Sequence, residues 1–324
     1  MPRQLLSPSP RRSLSPRAAG LLLGAAADAV FADPARCHPV AGFGRFAGWL
    51  ERRWYADSRA AGVCHTTVCV GAAAGVGAVL AQLTRRSPAA QTVAVAAATW
   101  AVLGGTSLAR EGAALAGTLE TGQLPAARAR IRHLCGRDPE ALDTAGMARA
   151  GCESVAENTS DAVVGPLLWG AVAGLPGLLG YRAVNTLDAM VGYRSPRYRR
   201  FGWAAARTDD LVNLVPARLT ALITLAAAPL LGGSPVAAAR AWRRDAAGHP
   251  SPNAGPVEAS AAGALGIQLG GLTQYPHGVE LRPTLGDGPP PTPGDLRRMV
   301  RLSRLLGAAA TALAALACEW YWSL

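Results

Sequence analysis

The amino-acid sequence predicts an all-α, multi-pass membrane bundle, and three observations lead there. Half of the 324 residues are hydrophobic and only 16% are charged, too few to cover a water-facing surface of that size. The apolar residues gather in six runs, at about 18–32, 60–83, 89–109, 162–180, 212–233 and 305–318. No segment shows a convincing period-two alternation of the kind that marks a half-buried strand.

A crossing of the hydrocarbon core takes roughly 20 apolar residues. The runs at 60–83 and 89–109 meet that length, those at 162–180 and 212–233 come near it, and the first and last are short. An Ala-rich soluble helical protein would mimic part of this pattern, because alanine is only weakly hydrophobic. The clustering favours insertion.

Taken in order, residues 1–17, "MPRQLLSPSPRRSLSPR", read as a disordered basic leader. Residues 18–324 read as one membrane-embedded helical domain that begins with an uncleaved anchor, since no small-residue cleavage site stands out before Asp28. "DPARCHPVAGFGRFAGWLERRW" predicts a Pro-broken turn and then an amphipathic helix. The polar block at 110–161 predicts helices near 108–121 and 125–135, the second started by Pro125. A third begins after Asp143, a good N-cap. Pro166 and "GLPG" (Gly174–Gly177) interrupt the fourth apolar run, which predicts a broken or re-entrant helix near 162–180. Residues 234–300 predict one helix, a turn at "HPSPNAG", and a Pro/Gly-rich loop, "RPTLGDGPPPTPGD".

Composition also excludes chemistry. All 32 basic residues are arginine, so no P-loop lysine, Schiff-base lysine or lysine nucleophile exists. Any phosphate is left to arginine, backbone amides or a metal. The net charge of +11 is spread over every polar segment, without a basic tract interleaved with aromatics, which argues against nucleic-acid binding. The six cysteines form no CxxC pair and read as small buried hydrophobes.

The chemistry-bearing residues stand at the borders of the apolar runs. Arg149, Glu153, Glu157 and Asp161 recur every four residues, on one helix face. Solvated ion pairing explains an Arg–Glu pair, but not further acids beside it. Asn185 and Asp188 follow the fourth run, while Asp209, Asp210, Asn213 and Arg218 precede or enter the fifth. Helix capping is the ordinary reading of such residues. Their recurrence on neighbouring borders instead suits Mg²⁺, which takes one or two carboxylates and keeps water or phosphate as its other ligands.

Several long stretches carry a family resemblance: "RDPEALD", "ARAGCESVAENTSDAVVGPLLWG", "YRAVNTLDAMVGYRSPRYRRFGWAAARTDDLVNLVPARLTA", "SPNAGPVEASAAGALGIQLGG" and "DPARCHPVAGFGR". In this order and over roughly residues 20–320 the chain resembles the CobD/CbiB family of cobalamin biosynthesis. Pro256-Val257 stands where that family usually has Trp-Pro. The resemblance implies a multi-pass membrane protein, and an ATP-dependent site is expected on the cytoplasmic face of the cell membrane, where ATP is. It implies an acid–amine ligase of the adenosylcobinamide-phosphate synthase type, joining a carboxylate of adenosylcobyric acid to (R)-1-amino-2-propanol or its O-phosphate. ATP and Mg²⁺ are the implied cofactors, and the corrinoid is a substrate. On this reading Asp188, Asp209 and Asp210 are metal candidates, and Glu153, Glu157 and Asp161 are catalytic candidates. Arg149, Arg182 and Arg218 are candidate phosphate clamps; His38, Asn158, Asn185, Ser251 and Asn253 are candidates for orienting substrate. Two other readings fit acids and amides at helix ends: a membrane prenyltransferase-like enzyme holding a diphosphate through Mg²⁺, and a corrinoid-binding or transport protein.

Overall fold

The computed structural model describes residues 14–33, 38–275 and 278–323. Residues 1–13 of the expected leader, and Cys37, lie outside them. Residues 16 and 17 already belong to the first helix, α1 (Pro16–Phe31). There follow α2 (Pro39–Trp54), α3 (Arg59–Thr84), α4 (Pro88–Val102), α5 (Gly105–Glu120), α6 (Leu124–Ile131), α7 (Thr144–Thr159) and α8 (Gly165–Val191). After these come α9 (Tyr198–Phe201), α10 (Trp203–Val212), α11 (Leu214–Ala227), α12 (Pro235–Asp245) and α13 (Ala254–Leu265). A hairpin of β1 (Leu269–Tyr275) and β2 (Gly278–Leu285) precedes α14 (Pro293–Ser323).

The starts of these helices are written locally. Ser-Pro opens α1, α4 and α12: Ser15, Ser87 and Ser234 each accept a hydrogen bond from a backbone N–H of the first turn, and the proline occupies a position whose N–H has no helical partner. Asp143 caps α7 in the same way, as the sequence predicts, through Gly146. Five segments are long and apolar enough to cross a membrane: Arg59–Thr84, Pro88–Glu120, Thr144–Val191, Leu214–Leu231 and Pro293–Trp320. The all-α multi-pass fold is the one the apolar runs predict.

Glycine lets these helices approach closely, as small residues do in membrane bundles. A Cβ on Gly20 or Gly24 of α1 would lie 2.5 Å from Val95 or 2.4 Å from Thr99 of α4. One on Gly77 of α3 would strike the Leu175 carbonyl of α8 at 2.6 Å. The principal apolar core runs through α1, α4–α8, α11, α13 and α14, with Leu21, Leu115, Met147, Leu167 and Leu296 wholly buried.

The segment Thr144–Val191 is not one straight span. Residues Ser160–Val164 form a π-turn, which slips one extra residue into the helix and re-aims the side chains beyond it. At Gly174 the backbone leaves the helix altogether (φ 62°, ψ −145°) and the chain reverses. Tyr181 on the returning arm donates a hydrogen bond to the carbonyl of Asp161 at 3.1 Å. A straight helix would hold those two residues about 30 Å apart. Arg17 holds the tip, donating to the Ala171 carbonyl at 3.0 Å. The broken helix expected from Pro166 and "GLPG" is therefore present, and it reverses on itself at Gly174.

The hairpin β1–β2 corrects the expectation that no strand occurs and that a loop fills this region. The pairing is antiparallel, with an irregularity between Leu269 and Gly271. Gly270 and Gly271 both take positive φ there (77° and 81°), which breaks any period-two pattern in the sequence. Tertiary contacts hold the bulge in place: Glu153 of α7 accepts from the Gly270 N–H at 2.7 Å, and Arg149 donates to the Gly270 and Leu272 carbonyls. Cys69, Cys152 and Cys318 are buried, as expected, but Cys64 is exposed on the outer side of α3.

Candidate active site

The reversal at Gly174 brings both borders of the fourth apolar run to one place. Glu157 of α7, with Ser160 and Asp161 of the π-turn, faces Asp188 of the returning arm. Asp209 and Asp210 of α10 and Asn213 at its end close one side of a 390 Å³ cavity. His249, Ser251 and Asn253, in the turn before α13, close the other, and Arg282 reaches in from β2. Arg194 and Arg207 stand at the rim and are exposed. The volume is near the low end of the roughly 300–1,000 Å³ of small-molecule sites. It has room for a small molecule or for one arm of a larger one.

Five carboxylates face this space, and their partners differ. Asp210 is paired with Arg207 at 3.1 Å, and its backbone carbonyl accepts from Asn253 at 2.7 Å. Asp209 has one oxygen, Oδ1, with no hydrogen-bond partner. Burial, followed by the nearby Asp188 carboxylate, pushes the Asp209 carboxyl up to about 7. Glu157 is enclosed by the fold, yet its side chain is accessible because it faces the cavity. Tyr181 fixes the scaffold between them by donating to Asn213 Oδ1 at 2.6 Å.

Of the residues singled out in sequence, Glu157, Asp161, Asp188, Asp209, Asp210, Ser251 and Asn253 line the cavity. Arg218 supports its wall, donating to Asn253 Oδ1 at 2.9 Å. Arg182 lies beside Asn185 at 3.4 Å, and Asn158 is turned back onto Ser154. Three residues are placed elsewhere. Glu153 is buried in an ion pair with Arg137 and holds the β1 bulge, so it is a structural anchor beneath the site. Arg149 is spent on two carbonyls of β1. His38 caps α2, accepting from the Val40 N–H at 3.2 Å.

A direct consequence concerns Arg149→Lys. A lysine ammonium cannot span two carbonyls as a planar guanidinium does. The expected result is a loss of about 1.5–3 kcal/mol of stability, the worth of a charged hydrogen bond, with KM for a phosphorylated substrate unchanged. Thermal melts and steady-state kinetics on the same preparation read the two effects separately.

Among the described residues, no three of His, Cys, Asp and Glu converge to hold a metal ion by themselves. The set Asp188, Asp209 and Asp210 is thus not a closed protein site, and Asp210 is engaged by Arg207. The open oxygens of Asp188 and Asp209 still fit a hard cation of the Mg²⁺ type, which binds through one or two carboxylates and completes its shell with substrate phosphate and water.

The same stretches that build the cavity carry the likeness to known proteins. A family model described as "CobD/Cbib protein" matches residues 21–303. The chain belongs to the CobD/Cbib family. It is 58% identical over 299 residues to the Cobalamin biosynthesis protein CobD of Mycobacterium tuberculosis (strain ATCC 25618 / H37Rv), covering 92% of this chain and 95% of the relative. Proteins of the same name from Geobacter metallireducens and Chromobacterium violaceum are 46% and 44% identical over 80% and 85% of the chain, and 83% and 88% of their own lengths. No solved structure matches.

In this CobD/Cbib chain, sequence reasoning passed over His249, Glu258 and Arg282. His249 Nδ1 accepts from the Ser251 N–H at 3.1 Å, which leaves Nε2 directed toward Glu258 at 3.9 Å. Burial holds the His249 imidazole below its usual value. Burial, then the carboxylates of Glu153 and Glu157, raise Glu258 well above the carboxylate range. The available signal was a single acid in the otherwise uncharged stretch "AGPVEASAAGAL", since a lone buried charge needs a reason. Arg282 gave no signal, because it arrives on a strand the sequence hides.

Proposed function

We propose that this protein acts in cobalamin biosynthesis as an amide-forming ligase, joining a carboxylate of adenosylcobyric acid to (R)-1-amino-2-propanol or its O-phosphate at the expense of ATP. The observation that carries this reading is a cavity with an acid wall and an arginine rim at the base of a re-entrant hairpin, in a chain of the CobD/Cbib family. A carboxylate does not condense with an amine near neutral pH, because its oxygen is a poor leaving group. Transfer of a phosphoryl group from ATP to that oxygen gives an acyl phosphate; the amine nitrogen then bonds to the carbonyl carbon and phosphate departs.

The residues have parts to play in each stage. Arg194, Arg207 and Arg282 supply positive charge for phosphate oxygens, with Ser251 available to orient them. Glu157 and Asp161 are placed to accept the proton that the amine must lose before or during attack. Asp188 and Asp209 would hold Mg²⁺, which offsets polyphosphate charge when bound. The cavity admits a side arm of the corrinoid and the small amine, while the ring would rest across the mouth at the membrane border. We place that mouth on the cytoplasmic face, where ATP is found.

The test is direct. Purified protein with adenosylcobyric acid, aminopropanol phosphate and Mg-ATP should yield the amide and ADP in equal amounts, read by mass spectrometry. ADP release that does not depend on the corrinoid, or no amide with either amine, would overturn the reading.

Asp209 adds a pH-dependent expectation. Its folded carboxyl titrates near 7, above the ordinary value of 3.8, so the metal-free fold binds this proton more tightly than the unfolded chain does. This group's stabilising contribution is fully present below about pH 4 and is lost as pH rises through 7. A divalent ion needs the ionised form, so Mg²⁺ should raise the melting temperature at pH 8 and have little effect at pH 5.5. An equal Mg²⁺ effect at both values would remove Asp209 from the ion.

A further inference from the structure

A second cavity, of 610 Å³, lies between α1, the start of α5 and the middle of α14. Its walls are apolar and mostly small, including Leu22, Ala25, Val163, Ala308 and Ala312. Six polar side chains interrupt them: Asp28, Thr106, Arg110, Ser303, Arg304 and Thr311. Asp28 is only 7% exposed. Its Oδ2 accepts from the Thr106 N–H at 3.1 Å and the Thr106 hydroxyl at 3.0 Å, while its Oδ1 has no hydrogen-bond partner among the described residues. A buried carboxylate oxygen left bare is costly, and this one belongs to a residue that lines an otherwise greasy space. Arg110 and Arg304 are exposed at the edge, and neither makes an ion pair or hydrogen bond with a described residue.

We propose that this cavity is a second ligand site, for a primary ammonium carried beside a phosphate: the headgroup of an ethanolamine-type phospholipid, or a free aminoalkyl phosphate. The ammonium supplies the donor that the bare Asp28 oxygen lacks and adds positive charge to that of Arg110 nearby, and it is compact enough to reach a recessed oxygen. A quaternary ammonium has no N–H to give. The phosphate meets Arg110 and Arg304, whose planar forks suit its oxygens. One carboxylate and two guanidiniums together match a ligand with one ammonium and a phosphate. The apolar walls favour the lipid-borne form, because α5 and α14 both lie in segments able to cross a membrane, so an acyl chain along Ala308 and Ala312 stays within the bilayer.

The position links the two cavities. Val163 lines this one, while Ser160 and Asp161, on the same π-turn, line the candidate active site. An occupant therefore braces the backbone that carries Asp161. The inference itself does not depend on the reaction proposed above.

The experiment uses the full chain in detergent. Native mass spectrometry compares retention of phosphatidylethanolamine with phosphatidylcholine, and calorimetry compares phosphoethanolamine with phosphocholine. The primary amine should be preferred in at least one pair. Asp28→Asn and Arg304→Gln should each weaken it at least about tenfold, the loss expected for a charge-assisted bond, while Arg86→Gln, at an exposed residue that lines neither cavity, leaves it unchanged. Retention of the lipid alone assigns a membrane source, and binding of phosphoethanolamine assigns a free one. Arg304 is exposed, so its variant keeps the test valid if Asp28→Asn fails to fold. Equal binding of amine and choline forms, no binding in either pair, or binding that survives Asp28→Asn and Arg304→Gln overturns the proposal and leaves water as the partner of Asp28.

Discussion

Asp209→Asn should lower amide formation by at least roughly 100-fold, as loss of a group that holds a metal or its support does, and should raise the melting temperature of the metal-free protein. The two effects run in opposite directions for one reason. Asp209 sits beside Asp188, and burial already resists its charge. Asparagine keeps the shape of the side chain while removing a repelled negative charge. A residue that harms the fold but serves the chemistry is what a site under functional demand contains. Glu153 provides the contrast. Its carboxylate is buried against Arg137 and holds the Gly270 N–H, so Glu153→Ala breaks a buried ion pair and should cost about 3–5 kcal/mol. Activity and melting temperature then fall together. If Asp209→Asn also melts lower, or turns over near the normal rate at limiting Mg²⁺, Asp209 is a structural residue like Glu153.

That pair also shows how much of the site was legible in the sequence. The acids at 153, 157 and 161 share a helix face by spacing alone, and the helix was readable from its Asp143 cap. Spacing did not tell which acids face water and which face protein. Glu153 and Arg149 point to a hairpin whose bulge, at two glycines of positive φ, erases the strand period. With the hairpin hidden, Arg149 read as a free clamp and Arg282 as a loop residue. Asp188, Asp209 and Asp210 were legible because each stands at an apolar border, where a charge must be explained. The cap role of His38 is local, since it precedes Pro39 and accepts from the Val40 N–H, whereas the inward turn of His249 depends on which loop packs where.

The second large effect is expected at the reversal itself. Gly174 has φ 62° and ψ −145°, a region essentially closed to residues with a Cβ, so Gly174→Ala should cost on the order of 1–3 kcal/mol from strain alone. The new methyl would also press on the Arg17 guanidinium, 3.2 Å away, which caps the descending arm. Gly177→Ala is worse placed, because its Cβ would lie 2.2 Å from the Trp169 carbonyl, and backbone cannot step aside as a long side chain does. Both changes should abolish activity although neither residue lines the cavity, since a straightened segment carries Asp188 away from Asp161. The arm from 165 to 173 descends about 14 Å, about half of the roughly 30 Å hydrocarbon core. Both ends of the hairpin must then face one compartment. Cysteines placed at Ser160 and Thr186, in a chain freed of its own cysteines, should react with an impermeant thiol reagent from the same side, and Gly174→Ala should weaken that agreement. Labelling from opposite sides in the parent chain would falsify the re-entrant arrangement, because acids on the two faces of a membrane cannot share a substrate.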